Sequence, residues 1–122
     1  MERLRGNAVK YFVLSLIITL VIARITGTYF NTNPQILGFE FHHFDYGIIL
    51  LLIALLLQAF NSKKELTYVF FGTSLGLILD ELYYMRVNFV ESVPYSSTFL
   101  PSLIISIIVL TLILIVNKNS KK

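Results

Sequence analysis

The fold is decided by the segment GTSLGLILDE at residues 72–81. Gly72 and Gly76 form a GxxxG pattern, in which small residues let a neighbouring helix approach closely. One further step of four residues leads to Asp80, so we expect Asp80 to face a neighbouring helix. Glu81 lies about 100° further round the same helix. The segment therefore predicts a packed helix that carries two carboxylates near one end.

Long apolar runs dominate the rest of the chain. The sequence has 122 residues, 56% of them hydrophobic, whereas polar residues interrupt the apolar stripes of a soluble domain. A transmembrane helix needs roughly 20 apolar residues to cross the hydrocarbon. Four runs approach that length, near residues 9–29, 44–61, 66–85 and 100–116. We therefore expect an all-α polytopic membrane protein, a single domain (1–122) of four transmembrane helices.

Basic residues cluster on one side of the predicted spans. Eight of the ten lysines and arginines precede the first span, separate the second from the third, or follow the fourth: Arg3, Arg5, Lys10, Lys63, Lys64, Lys118, Lys121 and Lys122. By the positive-inside rule this side is cytoplasmic. We expect both termini inside, in a multi-pass protein of the cell membrane that contacts the lipid bilayer. The net charge of +3 then reflects orientation and gives no support to nucleic-acid binding.

Small residues predict where the helices pack. In the first span Ser15, Thr19, Ala23 and Gly27 recur every four residues and form one stripe. Gly47 has the same packing role in the second span. Such stripes serve contacts within one chain or between chains, so the sequence also allows a homo-oligomer or a larger membrane complex.

Two polar segments are expected to form loops at the outer face. Residues 29–41 contain turn residues and no helical period. The segment 86–97 is polar and aromatic, and we expect Phe89 and Tyr95 to anchor it at the membrane interface. Tyr84 is assigned to the same aromatic belt, with a ligand role as the lesser alternative.

Ionisable residues from three helices are expected to meet near the outer face. With a rise of about 1.5 Å per residue, Arg24 lies roughly 21 Å and Asp80 roughly 22 Å above the inner ends of their spans. His43 and Asp45 come out roughly 27 and 24 Å up the second span. Charges in hydrocarbon usually turn inward and pair, because each costs at least about 2.5–3.5 kcal/mol at mid-bilayer. These residues should therefore form one polar layer.

The first interpretation of this layer is structural. Arg24 forms an ion pair with Asp80 or Glu81, and the histidines bond the other carboxylate. The layer then only holds together a noncatalytic helix bundle or an accessory subunit of a membrane complex.

The second interpretation is a metal site with an enzymatic role. His42, His43, Asp80 and Glu81 would bind a divalent zinc, iron or manganese ion, with an open position for water or substrate. Adjacent histidines point about 100° apart on a helix, so both reach one ion only if the helix starts after His42. Arg24 beside such a site argues against a bound cation, unless it binds a substrate anion such as a phosphate.

The third interpretation is an oligomeric proton or ion channel, since a histidine near a buried carboxylate titrates in the physiological range. Asp45 lies about 200° round the helix from His43. It is expected either to face another element or to complement the helix dipole. The chain has no cysteine, which excludes disulfides and thiolate ligands. It also lacks a Gly-rich phosphate loop, an HExxH motif and a nucleophile elbow.

The motifs resemble those of a group of small, functionally uncharacterised integral membrane proteins of archaea and bacteria. The likeness rests on an HHxxxG start to one helix, here His42 to Gly47, and on a GxGLxLDE-like third helix, here residues 72–81, with Ser74 in place of the first glycine. The resemblance implies a four-helix fold and no activity. It marks the following residues: His42, His43, Gly47, Gly76, Asp80 and Glu81.

Overall fold

A computed structural model describes residues 2–30, 34–61, 63–88 and 93–119. Within these ranges lie four α-helices: α1 (Glu2–Tyr29), α2 (His43–Ala59), α3 (Lys64–Asn88) and α4 (Phe99–Asn119). A 3₁₀ turn, Tyr95–Thr98, leads directly into α4. The predicted all-α class is confirmed. The helix α2 ends two residues before its predicted boundary, and Asn61 there takes a left-handed φ of 50°.

The loop before α2 contains a short β-hairpin. Strands β1 (Gln35–Ile36) and β2 (Phe39–Glu40) pair antiparallel. The residues between them, Leu37 and Gly38, have φ values of 54° and 78°. Both central residues of a type I′ turn require this left-handed conformation, so the turn matches the two-residue connection.

The start of α2 leaves His42 outside the helix. His42 has an extended backbone, with φ −100° and ψ 164°, and His43 is the first helical residue. The Asp45 carboxylate accepts a 2.9 Å hydrogen bond from the His42 amide and so caps the helix. The two histidines therefore do not follow the 100° step between consecutive helical residues.

One face of α3 packs against α1 through its glycines. A Cβ atom at Gly76 would lie 3.0 Å from the Leu16 carbonyl oxygen, and a Cβ atom at Gly72 would collide with Ser15 and the Phe12 carbonyl. Glycine at both positions therefore permits the close approach of the two helices.

A second face of α3 packs against α2 through Ser74 and Gly47. The buried Ser74 hydroxyl donates a 2.8 Å hydrogen bond to the Gly47 carbonyl oxygen. A Cβ atom at Gly47 would lie 3.0 Å from the Ser74 carbonyl oxygen. The absence of a side chain at Gly47 thus brings the helices close enough for the serine to bond across the interface.

The helix α4 is held mainly near its N-terminal end. The buried Ser102 hydroxyl donates a 3.1 Å hydrogen bond to the Asp80 carbonyl oxygen of α3. Further along α4, large apolar side chains such as Ile107, Ile108 and Leu112 are more than half exposed. The fourth helix therefore presents most of its apolar surface outward.

Two of the described helical segments are long and apolar enough to cross a membrane, Gly6–Tyr29 and Tyr95–Asn119. Only 17% and 11% of their most apolar windows are buried inside the protein. The apolar helix α2 is shorter, with 17 residues, and α3 carries Asp80 and Glu81 within its apolar stretch. Helix length and composition alone thus support two crossings.

Candidate functional site

Arg24 joins α1 to α3 and to the segment before α4. Its Nε lies 2.9 Å from Asp80 Oδ1, and its Nη2 donates a 2.9 Å hydrogen bond to the Asp80 carbonyl oxygen. Its Nη1 donates to Thr98 Oγ1 at 3.2 Å and to the Tyr95 carbonyl oxygen at 3.4 Å. The guanidinium carbon also lies 4.3 Å from the centre of the Tyr95 ring. All three guanidinium nitrogens therefore have partners within the chain.

Asp80 is engaged through both carboxylate oxygens, and its side chain is 1% exposed. Oδ1 bonds Arg24, while Oδ2 accepts a short hydrogen bond from the Tyr95 hydroxyl. Oδ2 also lies 3.4 Å from His43 Nδ1. The predicted convergence of Arg24, His43 and Asp80 is present in the structure, with Tyr95 as a further member.

Glu81 faces the start of α2 instead of α1. Its Oε2 accepts a 2.9 Å hydrogen bond from the Phe44 amide. Its Oε1 lies 3.7 Å from His42 Nδ1 and 4.0 Å from His43 Nδ1. The N–H groups at a helix N-terminus favour a nearby negative charge, so the hydrogen bond from the Phe44 amide favours the ionised carboxylate.

The two secondary site candidates have different positions. Asp45 caps α2 through the His42 amide, in agreement with a role at the helix N-terminus. The Tyr84 ring packs edge-on against Tyr95, with ring centres 5.5 Å apart, and lies 6.4 Å from the His42 ring. Tyr84 therefore contacts the polar layer through its ring.

Three polar residues of the layer were not identified from the sequence: Tyr95, Thr98 and Ser102. Tyr95 turns inward, so its assignment as an interfacial anchor is wrong, and Phe89 lies outside the described residues. The small residue Gly27 in the stripe of α1 indicated that another group packs there. In the structure that group is the Tyr95 ring, with which a Cβ atom at Gly27 would collide. No sequence period connects two positions so far apart.

A cavity of about 280 Å³ lies beside the Arg24–Asp80 pair. Its walls come from α1 and α4 and include Val21, Ile25 and Leu103. These walls are apolar, and the guanidinium donors of Arg24 are directed to partners in the protein. The cavity therefore does not support the predicted binding of a phosphate by Arg24.

Among the described residues, no group of three His, Asp or Glu side chains is placed so that it could hold a metal ion. In the same part of the chain, every buried side-chain nitrogen and oxygen has a hydrogen-bond partner. The layer is thus a connected polar network at one end of the bundle. Its members come from all four helices and the turn before α4.

Comparison with protein-family models, curated proteins and solved structures gives no match. The resemblance to small prokaryotic membrane proteins therefore remains an expectation based on the histidine and acidic motifs.

Proposed function

We propose that this chain is a noncatalytic four-span membrane protein, with both termini in the cytoplasm, whose outer end is held together by the buried Arg24–Asp80 ion pair. The observation that carries the proposal is that every guanidinium nitrogen of Arg24 is bonded within the chain. Each of its guanidinium nitrogens bonds Asp80, Thr98 or the Tyr95 carbonyl oxygen. An arginine bound in this way links α1 to α3 and to the segment before α4.

Low burial of the long apolar helices supports a membrane location. An apolar core helix of a soluble protein is mostly buried, whereas the windows in Gly6–Tyr29 and Tyr95–Asn119 are 17% and 11% buried. Such exposed apolar surface is stable against lipid. The first of these segments also contributes Arg24 to the core, which distinguishes it from a removable signal sequence.

Close packing supports the crossing of α2 and α3 as well. α3 has 25 residues and is about 38 Å long, and α2 has 17 residues and is about 26 Å long, near the 30 Å or so of bilayer hydrocarbon. α3 packs against α1 and α2 through glycine contacts. Asp80 and Glu81 are buried within the bundle, as expected for carboxylates at membrane depth.

The positions of the lysines support the orientation. Lys63 and Lys64 lie at the exposed turn between α2 and α3, and Lys118 is exposed at the end of α4. In a four-span arrangement these positions share one side of the membrane with Lys10 near the start of α1. By the positive-inside rule that side is the cytoplasm.

Small residues support packing within one chain. Gly72 and Gly76 contact α1, and Gly47 contacts α3. From the sequence, these small residues could serve contacts within one chain or between chains. In the structure they serve contacts between helices of the same chain. A homo-oligomer, a larger membrane complex and a channel remain predictions, and proton flux in reconstituted vesicles tests the last of them.

A double-mutant cycle of Arg24→Met and Asp80→Asn tests the structural role of the ion pair. Each single variant leaves one buried charge without its partner, so we expect the free energy of unfolding to fall by about 3–5 kcal/mol. The double variant should lose less than the sum, with a coupling of about 1–3 kcal/mol. Detergent-induced unfolding followed by circular dichroism measures all four proteins.

The matched control uses Arg86→Met and Glu65→Gln, which remove one cation and one carboxylate at exposed positions of α3. These changes should stay within about 0.5 kcal/mol. Additive effects at Arg24 and Asp80 would contradict the proposal.

A further inference from the structure

We propose that the cavity between α1 and α4 binds one acyl chain of a membrane lipid. The cavity has a volume of about 280 Å³ and lies beside the Arg24–Asp80 pair. This inference rests on the proposed crossing of the membrane by α1 and α4. It does not depend on how strongly the ion pair stabilises the bundle.

The cavity is a gap between two helices that share a neighbour. α1 and α4 both pack against α3, and the cavity is lined by Val21 and Ile25 of α1 and by Phe99 and Leu103 of α4. Each of these four side chains is about half exposed. The mouth of the cavity therefore opens on the same apolar surface of α1 and α4 that the bilayer would cover.

The buried part of the lining is polar, but its donors already have acceptors. The Ser102 hydroxyl donates to the Asp80 carbonyl oxygen at 3.1 Å, and the Ser106 hydroxyl donates to the Ser102 carbonyl oxygen at 2.7 Å. The nitrogens of Arg24 are bonded as well. A buried water molecule needs about 2–4 polar partners. The lining therefore favours an apolar ligand over water or a charged group.

The cavity is extended in the direction of the helices. Arg24, near the end of α1, bonds Thr98 just before α4, so the end of one helix meets the start of the other. Along α4 the lining extends from Phe99 to Ser106, and these seven steps span about 10 Å. The hydrocarbon of one leaflet is about 15 Å thick, half of the bilayer core. A lipid tail has this direction and lies at this depth.

The volume identifies the size of the ligand. An apolar cavity of about 150 Å³ is large enough to bind benzene, so a cavity of about 280 Å³ accepts a longer hydrocarbon. A helix of a second copy, about 10 Å wide, would occupy roughly 800 Å³ over a length of 10 Å. One acyl chain therefore fits the space, whereas a second helix does not.

The same lining predicts what the site ignores. Binding sites select polar ligand groups through a few correctly placed donors and acceptors, and the donors here are engaged within the protein. We therefore expect selection of the hydrocarbon chain and no selection of the lipid headgroup.

Photocrosslinking of the full chain in phospholipid vesicles tests the site. The probe is a phosphatidylcholine with a diazirine on one acyl chain, and tandem mass spectrometry locates the adducts. We expect severalfold more adducts at Val21 and Leu103 than at Ile22 and Ile104, which are similarly exposed but do not line the cavity. Phosphatidylglycerol with the same diazirine chain should give the same pattern.

A variant that fills the cavity provides the second measurement. Leu103→Trp places an indole in the space, so the yield of adducts at Val21 should fall about tenfold. Ile104→Trp is the matched control, because it adds the same indole to α4 outside the cavity and should leave that yield unchanged. Both positions are exposed, so neither change disturbs the buried core.

Several results would overturn the proposal. Equal adduct yields at Val21 and Ile22 in the parent protein would do so without any variant, as would adducts at Val21 that persist in Leu103→Trp. Disulfide-linked dimers of Leu103→Cys, without dimers of Ile104→Cys and without adducts at Val21, would place a second copy at the cavity instead. Adducts at the control positions alone would remove the acyl site and leave the membrane crossing intact. No adduct at any position would contradict the crossing itself.

Discussion

Asp80 and Glu81 are adjacent on α3, yet their carboxylates contact different helices. Asp80 Oδ1 lies 2.9 Å from Arg24 Nε of α1. Glu81 Oε2 accepts a 2.9 Å hydrogen bond from the Phe44 amide at the start of α2. Because consecutive helical residues are about 100° apart, one acidic pair joins three helices.

The different partners of the two acids predict different effects of neutralising them. Glu81→Gln keeps an oxygen that accepts from the Phe44 amide, so we expect it to lower the free energy of unfolding by about 1–2 kcal/mol. Asp80→Asn leaves Arg24 unpaired and should cost about 3–5 kcal/mol. Detergent-induced unfolding of both variants under identical conditions measures the difference. An equal or larger loss in Glu81→Gln would contradict this ranking.

Gly72→Ala should destabilise the contact between α1 and α3. The added methyl group would collide with Ser15 and with the Phe12 carbonyl, which belongs to the helix backbone and cannot turn away. We expect a loss of about 1–3 kcal/mol in thermal or detergent unfolding.

Gly6→Ala is the matched control for this change. Gly6 also lies in a helix, but a Cβ atom there has no neighbour within 4 Å. Alanine has the higher helix propensity, so this variant should be neutral or up to about 1 kcal/mol more stable. If Gly72→Ala behaved like Gly6→Ala, close packing at this glycine would be refuted.

The sequence predicted the contacts that depend on helical periodicity. A four-residue step placed Gly72, Gly76 and Asp80 on one face of α3, and this face packs against α1 in the structure. The 100° offset likewise placed Glu81 on a different face. Periodicity alone could not identify the partner of that second face, because Glu81 bonds the Phe44 amide at the N-terminus of another helix, and a helical period does not show which helix lies opposite.

The contribution of the segment before α4 could not be predicted in the same way. Tyr95 is 15 residues beyond Asp80 in sequence, and the connection between them breaks the helical period. Its inward position depends on the 3₁₀ turn and on the space left by Gly27. These are tertiary features, which an aromatic residue next to a polar loop does not reveal.

Tyr95→Phe separates the hydroxyl of Tyr95 from its ring. The variant removes the donor to Asp80 Oδ2 and keeps the ring 4.3 Å from the Arg24 guanidinium. We expect the free energy of unfolding to fall by about 1–3 kcal/mol, the loss typical of a hydrogen bond to a charged group. Tyr29→Phe is the control, because Tyr29 is 78% exposed and should change stability by less than about 0.5 kcal/mol. Equal stabilities for the two variants would show that the hydroxyl has no structural role.

Cysteine labelling on intact cells distinguishes four spans from two. The chain has no cysteine of its own, so the variants Gln35→Cys, Glu65→Cys and Asn119→Cys each carry one thiol at an exposed position. With four spans and both termini inside, a membrane-impermeant maleimide should label Gln35→Cys on intact cells. It should label the other two variants only after permeabilisation. The cysteine-free parent protein is the control for background labelling.

The decisive position in this experiment is Glu65, in the first turn of α3. If only α1 and α4 crossed the membrane, residues 35 and 65 would lie on the same side, and both thiols would react on intact cells. Labelling of both Gln35→Cys and Glu65→Cys before permeabilisation would therefore exclude the four-span arrangement. Labelling of Asn119→Cys but not Gln35→Cys would instead reverse the orientation that the lysines predict.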